Sequence, residues 1–192
     1  MKTLFLFIIA CISYVNACDV TSSLFDIPDD CVVKMHFKQT KKITGITKNL
    51  VSLGHIFLHK TKGLRWETNS PFQQIMLIDK TGIYNIVNKE KILISENINK
   101  QANMIHSFLF NILNGRFETL DMFDVTKENQ NNTLHKIILT PKTDNFKLFK
   151  SITIEDQGMI KHISIQRMNG DIETIRLSNI SLHTSRYDNK FK

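Results

Sequence analysis

Apolar and polar residues alternate at every second position along most of this chain, the period of a half-buried β-strand. "CVVKMHFKQT", from Cys31, sets Val33, Met35 and Phe37 against Lys34, His36 and Lys38. "LVSLGHIFLHK" continues in strand style, with Gly54 as a bulge or a point of close backbone approach. "GLRWET" alternates Leu64 and Trp66 with Arg65 and Glu67, and Pro71 marks a turn or an edge. "QQIMLID" and "GIYNIVN" predict a hairpin about Lys80-Thr81-Gly82, followed by a short strand in "KEKILISE". The period then changes. From Ile98, the residues Met104, Ile105, Phe108, Leu109, Ile112 and Leu113 recur at helical spacing, and Gly115 is a good helix stop. Phe110 falls off that stripe, so this helix is apolar on more than one side.

"FETLDMFDV" reads as a short helical turn and then a strand. Strands resume with "TLHKIILT", stopped by Pro141, and "TDNFKLFK" is a helical turn or loop. The stretch from Ser151 to Leu182 predicts three strands with turns at Gln157-Gly158 and Asn169-Gly170. The polar tail from His183 is expected to fray, as termini do unless tied down. Many consecutive strands, one helical insertion and no βαβ alternation predict an α+β fold. The expected architecture is a single antiparallel sheet, strongly curved or half closed, with helices against one face.

The first seventeen residues are set apart from this domain. Lys2 gives a positive start, "LFLFIIACI" a short apolar run, and Val15 and Ala17 the small residues of a signal-peptidase site before Cys18. Residues 1–17 are therefore expected to be a cleaved signal peptide, and residues 18–192 a single exported domain in the periplasm. The apolar run is too short to span a bilayer. "VNAC" partly resembles a lipobox, which would make Cys18 a lipid-modified anchor. Asn16 departs from that pattern. If cleavage simply precedes Cys18, the mature chain keeps Cys18 and Cys31, which read as one disulfide tying the N-terminus to the first strand.

With 192 residues, 42% of them hydrophobic and 22% charged, the chain is long enough for a real core, and its composition is that of a globular protein. Thirteen Phe against one Trp and three Tyr leave most of the aromatic area without a polar handle, which suits a dense core or an oily pocket. The formal charge of +7 is scattered apart from "KQTKK" at Lys38 to Lys42. It reads as lysines that keep strand edges and loops solvated, or as a modest attraction to anionic lipid headgroups. No nucleic-acid partner is expected of an exported protein.

Candidate chemistry is sparse. His55 and His59 in "HIFLH" would chelate a metal from a helix, but on a strand they lie about 13 Å apart. The sequence contains no nucleophile elbow, P-loop, dinucleotide fingerprint, zinc-protease motif or Cys-x-x-Cys. Glu67, Asp79, Glu118 and Asp171 stand near turns or at outward strand positions, unpaired by any sequence pattern. We expect neither enzyme activity, nor a cofactor, nor a metal. "NNT" at Asn131 and "NIS" at Asn179 match a glycosylation acceptor, as an Asn-rich chain does by chance. What remains is apolar surface. Phe37, Phe57, Trp66, Met76 and the Phe108 to Ile112 stretch either pack together as core or wall a cavity that an acyl chain fills.

Four segments add a resemblance. "FKQT" at Phe37 to Thr40, the block "SLGHIFLHKTKGLRWETNSPFQQIMLID" with Gly54, Trp66 and Pro71, "LTPK" at Leu139 to Lys142, and "NGDIETIRLSNI" from Asn169 stand in order behind a signal peptide. In these the sequence resembles the periplasmic outer-membrane lipoprotein carrier family, the LolA type, over nearly the whole mature chain. The resemblance implies an incomplete antiparallel β-barrel covered by helices. Its cavity would receive the acyl chains of a lipoprotein released by an inner-membrane transporter and deliver them to an outer-membrane acceptor. It also implies a monomer whose cargo is an acylated lipoprotein or lipid. By position, Phe57, Leu64, Trp66 and Met76 would line the cavity, and Phe108, Leu109 and Ile112 would belong to a helical lid.

One departure bears on mechanism. Where the better-known carriers have Arg-Pro ahead of the aromatic block, this chain has Lys60-Thr61. That arginine is associated in the family with holding the lid and with cargo release, and lysine keeps its charge but not its forked donors. The "GLRW" form and the lead-in "KITGITKNLVSLG" look more like divergent LolA-like proteins, whose cargo is a different lipid or acylated glycolipid.

Overall fold

The alternating segments pair into one antiparallel sheet of eleven strands in a computed structural model, which describes residues 28–94, 112, 121–129, 135–142, 149–157, 160–184 and 187–191. The first half of the chain supplies β1 (Cys31–Lys42), β2 (Leu50–His59), β3 (Gly63–Ser70), β4 (Gln74–Ile78), β5 (Ile83–Val87) and β6 (Glu90–Leu93). The second half supplies β7 (Phe123–Asn129), β8 (His135–Pro141), β9 (Phe149–Asp156), β10 (Ile160–Arg167) and β11 (Ile172–Thr184). Their order in the sheet is β6-β5-β4-β3-β2-β1-β11-β10-β9-β8-β7. Two meanders are thus zipped together along β1 and β11, and the sheet is open, with β6 and β7 at its edges. Laid flat, eleven strands at about 4.8 Å each would be about 50 Å across, and twisted sheets of that width curl. An open antiparallel sheet agrees with the sequence reading.

Among the described residues, the expected helices covering the sheet are not supported: only Ile112 is α-helical, and Asp188–Phe191 forms a single 3-10 turn. The predicted helix from Ile98 to Asn114, with Phe108 and Leu109, otherwise lies outside the described residues, as does the expected signal peptide.

Residues opposite one another in an antiparallel pair share a face, so the register sorts the side chains. One face collects Val33, Met35, Phe37, Ile56, Leu58, Leu64, Ile78, Ile137, Leu139, Ile152, Ile154, Ile163, Ile175 and Leu177, all buried in one cluster. Ile112 is 1% exposed and belongs to the same cluster. Across the strands this face reads as rows, among them Ile78–Leu64–Leu58–Val33–Leu182. The opposite face holds a smaller cluster of Val32, Phe57, Leu77 and Phe191, flanked by Tyr84, Ile86 and Tyr187. The tail expected to fray is therefore docked: Tyr187 lies 5.2 Å from the Phe57 ring, and Phe191 packs edge-on against His59 at 5.7 Å. Two aromatic residues four positions apart give this polar tail an apolar side, which outweighs fraying.

Turn chemistry follows the sequence closely. Asp79 accepts the Thr81 N–H at 2.7 Å and the Gly82 N–H at 3.2 Å, closing the β4–β5 hairpin as an Asx turn. Gly170, at φ 88°, provides the left-handed residue of the β10–β11 turn. Cys31 is disulfide-bonded, and its partner cysteine lies outside the described residues.

Candidate lipid-binding face

Trp66 and Met76 stand directly opposite each other on β3 and β4, half-buried, on the same face as the large cluster. Leu64, one step along β3, is 1% exposed and faces Ile78. The ring of Phe37 reaches Trp66 from β1, across β2, at 4.5 Å between centroids. Gly54 makes that reach possible. A Cβ there would stand 2.7 Å from Phe37 Cε1 and 1.9 Å from the backbone oxygen of Glu67. The β2–β3 register also shifts between Leu53 and Gly54, so both sequence readings of this glycine, bulge and close approach, hold.

Of the residues singled out by resemblance, Leu64, Trp66, Met76 and Ile112 share this face. Phe57 does not. Its neighbours Ile56 and Leu58 are buried with the large cluster, and Phe57 projects to the opposite side among Val32, Leu77 and Phe191. In the run Ile56-Phe57-Leu58 both faces are apolar, so periodicity gives no choice, and the pairing of Phe57 with Lys34 and Arg65 decides it. Phe108 and Leu109 lie outside the described residues. Residues that sequence reading missed are Met122, Val125, Ile165, Ile180 and Leu182, which border the cluster partly buried. Strand parity places Val125 and Ile165, but Ile180 and Leu182 are out of parity with Ile175 and Leu177 because the β1–β11 register shifts between Ser178 and Ser181, and Met122 precedes β7.

The opposite face is polar around its small cluster. Arg65, 8% exposed, donates from Nε to Glu67 at 2.7 Å and from Nη1 to the Lys190 carbonyl at 2.8 Å. Lys190 Nζ donates to the same Glu67 oxygen at 2.9 Å and lies 5.1 Å over the Phe57 ring. Burial pushes the Glu67 carboxyl up, but the hydrogen bonds from Lys190 and Arg65 and their charges outweigh it and hold the group below its ordinary range. His36 and His55 meet edge to face at 4.4 Å. Burial, then the neighbouring His36 and Lys34, hold His55 below the ordinary histidine value.

Lys60 and Thr61 occupy the β2–β3 turn. Thr61 N–H and Lys62 N–H donate to His59 Nδ1 at 3.2 and 3.3 Å, and Lys60 pairs with Asp29 at 2.8 Å on the surface. Strand geometry keeps His55 and His59 from sharing a metal. Among the described residues no group of three or more His, Cys, Asp or Glu could hold one, and no helix is long and apolar enough to cross a membrane.

No curated protein matches the chain. Solved structures do. A LolA superfamily protein from Nitrosomonas europaea aligns with a TM-score of 0.46 at 7% identity, covering 89% of this chain and 94% of that one. The Pseudomonas aeruginosa MucA/MucB complex aligns at 0.44 and 10%, covering 85% of this chain and 56% of that one. The Mycobacterium tuberculosis lipoprotein LppX aligns at 0.41 and 11%, covering 78% of this chain and 85% of that one. The sequence itself matches the family described as outer membrane lipoprotein carrier protein LolA from residue 32 to residue 192. The protein therefore belongs to the LolA family.

Proposed function

We propose that this protein is a periplasmic carrier. It shields the acyl chains of a lipoprotein or related acylated lipid against the Trp66–Met76 face and shuttles them from the inner to the outer membrane. The observation that carries the reading is the position of Trp66 and Met76: large, apolar and half-buried at the margin of an extended apolar cluster. A flexible thioether beside a rigid indole conforms to chains of different length. Met122, Val125, Ile165, Ile180 and Leu182 extend the same margin.

The energetics suit transport. At about 0.8 kcal/mol per CH₂, one long acyl chain gains roughly 10 kcal/mol on leaving water, before ordering costs. Such binding has no direction of its own, and delivery needs an acceptor that holds the chain more favourably. The inner-membrane releasing transporter and the outer-membrane acceptor implied by the resemblance would supply that difference.

An anchored acceptor, with Cys18 acylated, is the second reading. A disulfide from Cys31 to Cys18 would exclude it. A chain cleaved after Ala17 keeps only Cys18 as an intramolecular partner for Cys31, and a thioether-linked Cys18 cannot pair. Mass spectrometry of the mature N-terminus separates the two, since a diacylglyceryl mass on Cys18 rules out the free shuttle.

Trp66 is the only tryptophan, so its emission reports the face directly. A fatty acid carrying a nitroxide on its chain should quench Trp66 saturably, and unlabelled fatty acid should reverse the quenching. Absence of saturable quenching, with native far-UV circular dichroism, would sink the reading.

A further inference from the structure

At one end of the apolar face the side chains turn from hydrocarbon to charge. Ile163 on β10 pairs with Ile175 on β11, and the next step along this face pairs Ile165 with Glu173. On β1 the matching positions are Gln39, opposite Ile175, and Lys41, opposite Glu173. Beyond them lies a cleft of about 210 Å³ lined by Lys41, Lys42, Arg167, Asp171, Glu173 and neighbouring turn residues. Its lining residues Lys41 and Glu173 are the next positions on this face after Gln39 and Ile175.

The walls of the cleft are braced. The Thr44 N–H donates to Asp171 Oδ1 at 2.9 Å and Thr44 Oγ1 donates to the Asn169 carbonyl at 3.1 Å, tying the β1–β2 turn to the β10–β11 turn. Asn169 Nδ2 donates to the other Asp171 oxygen at 2.9 Å, so both oxygens of that carboxylate are engaged. Glu173, 9% exposed, accepts a hydrogen bond from Gln39.

The cations are less fully used. Lys41 Nζ and Arg167 Nη2 each stand 3.6 Å from the same Glu173 oxygen, longer than a direct hydrogen bond. Among the described residues no carboxylate lies within ion-pair distance of Lys42. The Arg167 guanidinium sits 5.5 Å over the Phe149 ring, and it carries five N–H donors. Three cations against two carboxylates leave one positive charge, with the carboxylates already hydrogen-bonded.

We infer that this cleft binds the phosphate-bearing headgroup of an acylated lipid whose chain lies along the apolar face. The inference rests on the proposed acyl carriage and narrows its cargo to phosphorylated lipids. Lys41 and Lys42 supply point charges, and Arg167 supplies the forked donors suited to a phosphate. Glu173 holds Lys41 and Arg167 in place and opposes the incoming charge.

The experiment compares palmitoyl lysophosphatidic acid with palmitoyl monoacylglycerol, both read by Trp66 emission on the whole chain, with inorganic phosphate as a third arm. The phosphorylated lipid should bind about tenfold more tightly at low salt, and the preference should shrink as salt screens exposed pairs. Lys41→Gln with Arg167→Gln should remove the preference, weakening the phosphorylated lipid far more than the monoacylglycerol. Glu173→Gln should widen it. Equal binding of the two lipids, or a preference that survives the double substitution, overturns the headgroup site and leaves acyl carriage standing. Inorganic phosphate should compete only weakly and only with the phosphorylated lipid. Phosphate alone binding as tightly as that lipid would show a free-anion site and overturn the inference. If neither lipid binds, the carriage reading itself falls, and the headgroup site with it.

Discussion

Gly54→Ala places one methyl group where the structure has no room. The new Cβ would meet the Glu67 carbonyl oxygen at 1.9 Å and Phe37 Cε1 at 2.7 Å. The ring can rotate away, but the carbonyl belongs to the neighbouring strand and moves only if β2 and β3 separate. Overpacking of this kind costs about 1–3 kcal/mol. Displacing Phe37 also forfeits its contact with Trp66, worth about 0.5–1.5 kcal/mol beyond area. A loss of about 2–4 kcal/mol lowers Tm by roughly 5–15 °C in a chain of this size. Thermal unfolding followed by circular dichroism and by Trp66 emission measures both effects. Adding Phe37→Leu should relieve the ring clash but not the carbonyl clash, recovering only part of the loss. A Tm within about 2 °C of the parent, with Trp66 emission unchanged, would refute the steric argument.

Other expectations concern the opposite face. Glu67 has a folded pKa below its ordinary 4.5. Its contribution is therefore complete above that value and is lost as pH falls through the depressed folded pKa. Glu67→Gln should cost about 1 kcal/mol at neutral pH and flatten stability below pH ~4.5, with faster amide exchange at Tyr187 to Phe191. His55 is also held below its ordinary 6.5. The unfolded chain then binds the extra proton first, so stability falls as pH drops from 6.5 toward the folded pKa. His55→Asn should reduce the slope of chemical-denaturation midpoint against pH in that window. Phe191→Ala should destabilise by about 2–3 kcal/mol, below the usual range for a buried Phe because a terminal turn relaxes more easily. An unchanged midpoint would mean that the tail contributes nothing to the Phe57 cluster.

Much of the sheet was legible because period two is a local signal. β3 and the turns about Lys80 and Asn169 came directly from alternation and turn residues. Faces were harder. Ile56-Phe57-Leu58 is apolar on both sides, so only the register with β1 and β3 separates Phe57 from Trp66. Position carried over from the family inherits the same ambiguity, and Phe57 stands on the face opposite Leu64, Trp66 and Met76. The docking of Tyr187 and Phe191 could have been suspected from their spacing, but its partner surface exists only after β2 and β4 pair with their neighbours. The charged cleft was hidden for a different reason. Lys41 and Glu173 are opposite only because β1 pairs with β11, the pairing that joins the two halves of the chain. No local motif encodes such a contact.

The two faces are coupled through β3. Leu64 and Trp66 project to the large apolar cluster, while Arg65 and Glu67 between and beyond them project to the other side. Glu67 holds Lys190 and Arg65 with its carboxylate, and its backbone oxygen is the atom that forbids a side chain at Gly54. The C-terminal turn thus steadies from behind the strand whose front presents Trp66. On the proposed acyl-binding reading the Trp66–Met76 margin has to stay accessible, so its rigidity has to come from elsewhere. Here it comes from the reverse side, where Phe57, Phe191 and the Arg65–Glu67–Lys190 group fasten β2 and β3 to the end of the chain. Phe57, though it does not share the Trp66 face, helps to fix the strands that present it.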